Sequence, residues 1–146
     1  MGDNRASQRS RVALTHDLDF RLDVDRTPTP RVAWPSGSSV LYPTITHGSD
    51  LVRVTETATF TVNTVVSNVT LVSSSSGRGV TITPAALASP TAAAHTPTGI
   101  TFTITVASTA PSDVYQGAIY VSGMAAGETT AHALHHGLHV LFAVNG

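Results

Sequence analysis

Four histidines, His132, His135, His136 and His139, fall within eight residues near the end of the chain. Neutral imidazole is the commonest side-chain ligand of transition metals. Chelation needs several imidazoles on one side of the backbone, and neighbours on an extended strand alternate sides. His135 and His139 would then share one face, with His132 and His136 on the other. Only a bend, for which Gly137 is the natural place, would converge three of them. His135 and His139 are therefore weak metal candidates, and the segment reads as a polar loop entering a last strand. His139, between Leu138 and Val140, is expected to be half-buried.

A second polar group is Asp17, Asp19, Asp23 and Asp25. Calcium takes several hard oxygen ligands, and these four would line one face of a regular strand. Their spacing is not that of a calcium loop, no glycine supplies a turn, and Arg21 sits among them. A solvated or arginine-paired face is the expected reading. Nucleophilic and acid–base chemistry finds less. No Gly-x-Ser-x-Gly elbow occurs. The two glutamates, Glu56 and Glu128, have no second carboxylate close by in sequence. Gly77-Arg78-Gly79 lacks the lysine and hydroxyl of a phosphate-binding loop. No catalytic residue, bound metal or cofactor is expected. Trp34, Tyr42, Tyr115 and Tyr120 are the set from which a sugar-stacking platform would come, but most of the few aromatic residues are needed for a core.

Charge says which partners to exclude. The net charge is −1, all eight basic residues are arginine, and there is no cysteine. Phosphate binding needs a concentrated basic surface, so neither nucleic acid nor an anionic membrane is an expected partner. No disulfide or thiolate metal site is possible. The longest apolar run, Val140 to Val144, is too short to span a bilayer. The aspartates from Asp17 onward stand where the apolar core of a secretory signal would be, so export by the usual route is not expected.

The elements that would position these groups follow from periodicity. Residues 1–31 hold 11 of the 17 charged residues and end in Thr27-Pro28-Thr29-Pro30, an extended and semi-rigid link. They read as an N-terminal arm, ordered over its first dozen residues only by a partner. Within it Leu18, Phe20, Leu22 and Val24 alternate with Asp17, Asp19, Arg21, Asp23 and Asp25, the pattern of a strand with one apolar and one charged face. Residues 32–146 read as one domain with strands at sandwich spacing. Val32 to Ile45 is an irregular edge strand interrupted by Pro35 and Pro43. Further strands are expected over 50–64, 68–73, 79–83, 100–106, 114–122 and 137–144. The alanine-rich stretch 85–97 has room for one helical turn between its prolines.

The stretches Val80 to Pro84, Gly99 to Val106 and Ala110 to Gly123 resemble bacterial immunoglobulin-like domains, which carry a Tyr-x-Gly-x-Ile-x-Val strand after an Ala-Pro turn. Tyr115, Gly117, Ile119 and Val121 match it, and the resemblance covers roughly residues 48–146. It implies an all-β, antiparallel sandwich of about seven strands, with Tyr115 packed under the preceding turn and Gly117 allowing a bulge or close approach. Such modules occur on secreted proteins and as decoration or appendage modules of phage. The expected function is a non-catalytic structural or interaction protein of a virion, such as a phage head decoration protein. Its arm residues Leu18, Phe20, Arg21, Leu22 and Val24 would bind a capsid protein or a neighbouring subunit, and it would be a homo-oligomer. The alternatives are a surface-attached carbohydrate-binding module and, less favoured, a metal enzyme built on the C-terminal histidines.

Overall fold

Threonine, valine and isoleucine are stiff at χ1 and fit a pleated surface better than a helix, and alternation decides which of them turn inward. The computed structural model describes residues 29–75 and 77–146, and every regular element among them is a strand. Leu18, Phe20, Arg21, Leu22 and Val24, with the arm's aspartates, lie outside the described residues.

The strands are β1 (Val32–Ala33), β2 (Ser39–Leu41), β3 (Ile45–Thr46), β4 (Val52–Val62), β5 (Ser67–Ser74), β6 (Val80–Pro84), β7 (Thr98–Val106), β8 (Asp113–Met124), β9 (His132–Ala133) and β10 (Leu138–Asn145). One sheet has the order β1-β4-β7-β6; the other has β2-β10-β8-β5, with β3 on β10 and β9 on β8. Setting aside the short β2, β3 and β9 leaves seven strands in the arrangement of a constant-type immunoglobulin sandwich, four in one sheet and three in the other. The long strands fall within a residue or two of the positions that alternation predicts.

Two expectations need correction. The single irregular opening strand is three strands. Pro35 and Pro43, each unable to donate a ladder hydrogen bond, break it after Trp34 and after Tyr42. The chain thereby crosses from the smaller sheet to the larger. There β2 and β3 run parallel to β10, pairing Val40 with Val140 and Ile45 with Val144, so the sandwich is not wholly antiparallel. The stretch 85–97 holds no helix; instead Ala92 and Ala94 make isolated bridges to Val66 and Val62.

The core lies between the sheets, with Phe60, Phe102, Phe142, Ile104, Ile119 and Leu138 fully buried. The resemblance motif is a packing signature: Tyr115, Gly117, Ile119 and Val121 all turn inward along β8. A side chain at Gly117 would stand 2.2 Å from Ile82 Cδ1 and 2.8 Å from the Ser74 carbonyl oxygen, so close approach is what requires glycine there. Tyr115 stacks on Phe142 at 5.9 Å, and its hydroxyl donates to the Pro111 carbonyl at 2.7 Å. This is the tyrosine corner of the immunoglobulin fold. Arg78 covers the outer side of the same ring at 4.6 Å and bonds Asp113 at 3.1 Å.

The two outer faces differ in chemistry. On the smaller sheet, Thr55 and Thr57 of β4 stand opposite Thr103 and Thr101 of β7, with Arg53 opposite Thr105 and with Thr81 and Thr83 of β6 beyond. On the larger sheet the outward positions mix neutral polar side chains with large apolar ones, among them Leu41, Val72, Val114 and Leu141. The edge of β4 not covered by β1 is blunted by an inward-leaning, half-buried Glu56 and by Tyr42, whose hydroxyl lies 3.5 Å from the Thr57 carbonyl. Burial, and then the charge of Glu56, push that hydroxyl above the ordinary tyrosine range.

Candidate functional site

Chemistry-bearing side chains gather at one end of the sandwich, where β1 leaves its sheet and the segment between β9 and β10 crosses the opening. Two hollows meet there. A shallow cleft of about 540 Å³ is lined by Ser38, Tyr120, Leu134, His135, His136 and His139. A neighbouring hollow of about 360 Å³ is lined by Arg31, Ala33, Thr61, Asn63, His95 and His136. Both are open to solvent, and His136 stands between them.

The four C-terminal histidines do not converge. His132 sits on β9 and bonds Glu128 at 3.0 Å. His136 takes a left-handed backbone (φ 70°), which breaks the strand before Gly137. His135 is exposed and lies edge-on to His136 at 6.4 Å. His139 is half-buried on the outer face of β10, its Nδ1 3.3 Å from Gln116 Nε2. The alternation argument fails because residues 132–139 are not one strand. Among the described residues, no three histidine or carboxylate side chains come together as a metal site.

The Glu128–His132 pair belongs to a turn. Glu128 accepts from the Ala125 backbone N–H at 2.6 Å, and this bond first, then His132, holds its carboxyl below the usual range. The bond to Glu128 holds the His132 imidazole above its usual range. The signs set a window. The glutamate's contribution is lost as pH falls through its lowered value, and the histidine's as pH rises through its raised one. The pair is complete between them, from mildly acidic to near-neutral pH. In an NMR titration, Glu128→Gln should bring the His132 midpoint down towards the ordinary imidazole value of about 6.5. An unmoved midpoint would dissolve the pair.

Trp34 sits in the core, as expected of most of the few aromatic residues. It is 6% exposed, packs 5.6 Å from Phe60, and its indole N–H donates to the His136 carbonyl at 2.7 Å. No ring face is left for a sugar. Tyr115 is equally buried, and Tyr120 lies over Gly137, where a Cβ would meet its ring at 2.5 Å. The four aromatic residues weighed as a platform therefore serve packing, and they do not share a surface.

Two roles escape sequence reasoning. Asn63 clamps the segment that leads into β1. Its Oδ1 accepts from the Arg31 N–H at 2.6 Å, its Nδ2 donates to the Thr29 carbonyl at 2.9 Å, and its backbone N–H donates to the Arg31 carbonyl at 3.2 Å. His47, the one buried polar residue among those described, places Nδ1 2.7 Å from the Gly48 carbonyl oxygen and Nε2 2.8 Å from that of Ala110. It ties the β3 turn to the start of the β8 segment. Neither residue lies in a recognisable motif, because each acts on backbone atoms remote in sequence.

No protein-family model matches the chain, and no curated protein matches it in sequence. Among solved structures, the secreted serine protease VesC from Vibrio cholerae is similar at 11% identity and a TM-score of 0.49, over 78% of this chain and 23% of that one. A family 123 glycoside hydrolase from Clostridium perfringens is similar at 14% identity and a TM-score of 0.43, over 73% and 23%. The GAE domain of GGA2p from Saccharomyces cerevisiae gives 12% identity and a TM-score of 0.42, over 82% and 92%. The chain thus spans about a quarter of the length of the first two. The conclusion for this end of the molecule rests on its own geometry: an all-β sandwich in which His135, His136 and His139 line one open cleft without forming a metal site among the described residues, and in which Asn63 holds Thr29 and Arg31.

Proposed function

We propose that this protein is a non-catalytic interaction module of a virion, of the head-decoration or accessory kind, that attaches through its N-terminal arm. The observation that carries the reading is the Asn63 clamp. Three hydrogen bonds fix Thr29 and Arg31 against the end of β4. The β1–β4 register, pairing Val32 with Val62, sets Thr29 and Arg31 beside the end of β4, so the segment that precedes them joins the sandwich there. On this reading the segment that precedes the clamp reaches another molecule. The alternation of Leu18, Phe20, Leu22 and Val24 with Asp17, Asp19, Arg21, Asp23 and Asp25 suits addition to a partner's sheet, where backbone bonds give affinity and alternate side chains give register. The guarded β4 edge disfavours folding the arm back onto its own sheet. A capsid or neighbouring subunit is the partner this implies.

The test compares the full chain with residues 29–146, a cut that spares the clamp. Co-sedimentation with virus particles of the source should be lost on truncation while thermal unfolding of the body is unchanged. Phe20→Asp/Leu22→Asp in the full chain should weaken binding by about 100-fold or more, as for loss of two buried anchors. Equal co-sedimentation of the truncated chain would overturn the arm's role.

A further inference from the structure

We infer that the outer face of the larger sheet is a self-association surface, through which two copies of this chain pack sheet on sheet. The inference stands apart from the arm and rests on described residues alone. The faces of the sandwich are unequal. Threonine ranks on the smaller sheet present hydroxyls to water on β-branched stems, as a solvated strand face requires. The larger sheet instead exposes Leu41 at 76%, Val114 at 63% and Val72 at 51%. Leu41 and Leu141 stand side by side across β2 and β10, with Gln116 next in the same row on β8. Val114 and Ala143 occupy the adjoining row and complete one patch with Leu41 and Leu141; Val72 on β5 lies apart, beyond the row of His139, Ala118 and Ser74. Contiguous exposure of large apolar side chains marks contact surfaces, and single scattered ones do not.

The polar groups on this face suit a second copy as the occupant. No carboxylate or guanidinium stands on it among the described residues; Asp113 lies at its rim and is held by Arg78. Its polar side chains include Gln116 and His139, with serine and tyrosine hydroxyls around them. Each of these carries both a donor and an acceptor, so each can pair with the same residue of a second copy. A charged group cannot do that. An isologous, two-fold interface asks for such self-complementarity, and a face built to meet a differently charged partner would not show it.

Size is adequate. Strands β2, β10, β8 and β5, of 3, 8, 12 and 8 residues, about 4.8 Å apart and rising about 3.3 Å per residue, cover roughly 500 Å² in projection, and side-chain relief raises the accessible area above that. A standard interface takes about 800 Å² from each partner. Two twisted sheets meeting face to face settle with their strands about 30° apart, which a flat, uncharged face permits.

The test is sedimentation velocity of the full chain from about 1 to about 100 μM, a span that brackets a micromolar dissociation constant. The wild type should pass from monomer to dimer. Leu41→Arg and Val114→Arg, which bring like charges together across a two-fold, should weaken the dimer by about 100-fold or more. Gln116→Glu, the gentler change at an exposed site, should act in the same direction and covers the case in which an arginine variant fails to fold. Thr57→Arg and Thr103→Arg on the opposite face should leave association unchanged, and so should removal of residues 1–28. A wild type that stays monomeric at the highest concentration would overturn the inference. So would a dimer indifferent to Val114→Arg and Gln116→Glu. A dimer lost on truncation but not with these variants would assign association to the arm and overturn the sheet face, leaving the arm reading intact.

Discussion

Tyr115→Ala should cost the domain about 4 kcal/mol, as large-to-small changes of buried aromatics do, and lower its melting temperature by roughly 15 °C. The ring is 1% exposed and held on three sides. It stacks on Phe142, Arg78 lies over its outer face, and its hydroxyl reaches Pro111. Alanine removes the packing and leaves a cavity between β8 and β10. Tyr115→Phe keeps the ring and removes only the hydroxyl, so it should cost about 1 kcal/mol, the usual worth of one hydrogen bond. The comparison separates volume from polarity. Calorimetric unfolding of the two variants measures it, and equal losses would mean that the corner acts through the hydroxyl alone. Against a typical total of 5–15 kcal/mol, the alanine variant spends a large share of the stability.

That residue also shows what the sequence made legible. Tyr115, Gly117, Ile119 and Val121 repeat with period two, and a strand buried on one face must read that way. The same logic placed β4, β7, β8 and β10, each long and each half-exposed. It misplaced the opening segment because Pro35 and Pro43 announce breaks without saying to which sheet each piece goes. Parallel pairing of β2 with β10 is a long-range outcome with no local signal. The site was less legible than the fold. His132 to His139 read as candidate ligands on the assumption of one continuous strand, and the left-handed turn at His136 removes that assumption. His47 and Asn63 bond carbonyls or amides more than thirty residues away, a partnership that only the assembled fold defines. The chemical inequality of the outer faces, by contrast, was present in the strand sequences. It becomes readable only once register sets Leu41 beside Leu141 and Thr55 beside Thr103.

Trp34→Ala should be nearly as damaging, at about 4 kcal/mol, and the form of the damage distinguishes a core role from a sugar-binding one. Trp34 stands where the chain leaves the smaller sheet for the larger, against Phe60, with its indole N–H on the carbonyl of His136. Losing the ring opens the core at that end, and losing the N–H frees the segment between β9 and β10. Amide exchange over Leu134 to Gly137 should therefore accelerate along with the fall in melting temperature. Trp34→Phe keeps most of the packing and should cost about 1–2 kcal/mol, with the same segment still loosened because its carbonyl has lost its donor. As the chain's one tryptophan, Trp34 reports its own surroundings, and its emission should be that of a buried indole until the domain unfolds. A glycan-stacking residue would behave in the opposite way: solvent-like emission, and substitution by alanine at little cost to stability. A Trp34→Ala chain that melts with the wild type would therefore remove this residue from the core and return it to the surface.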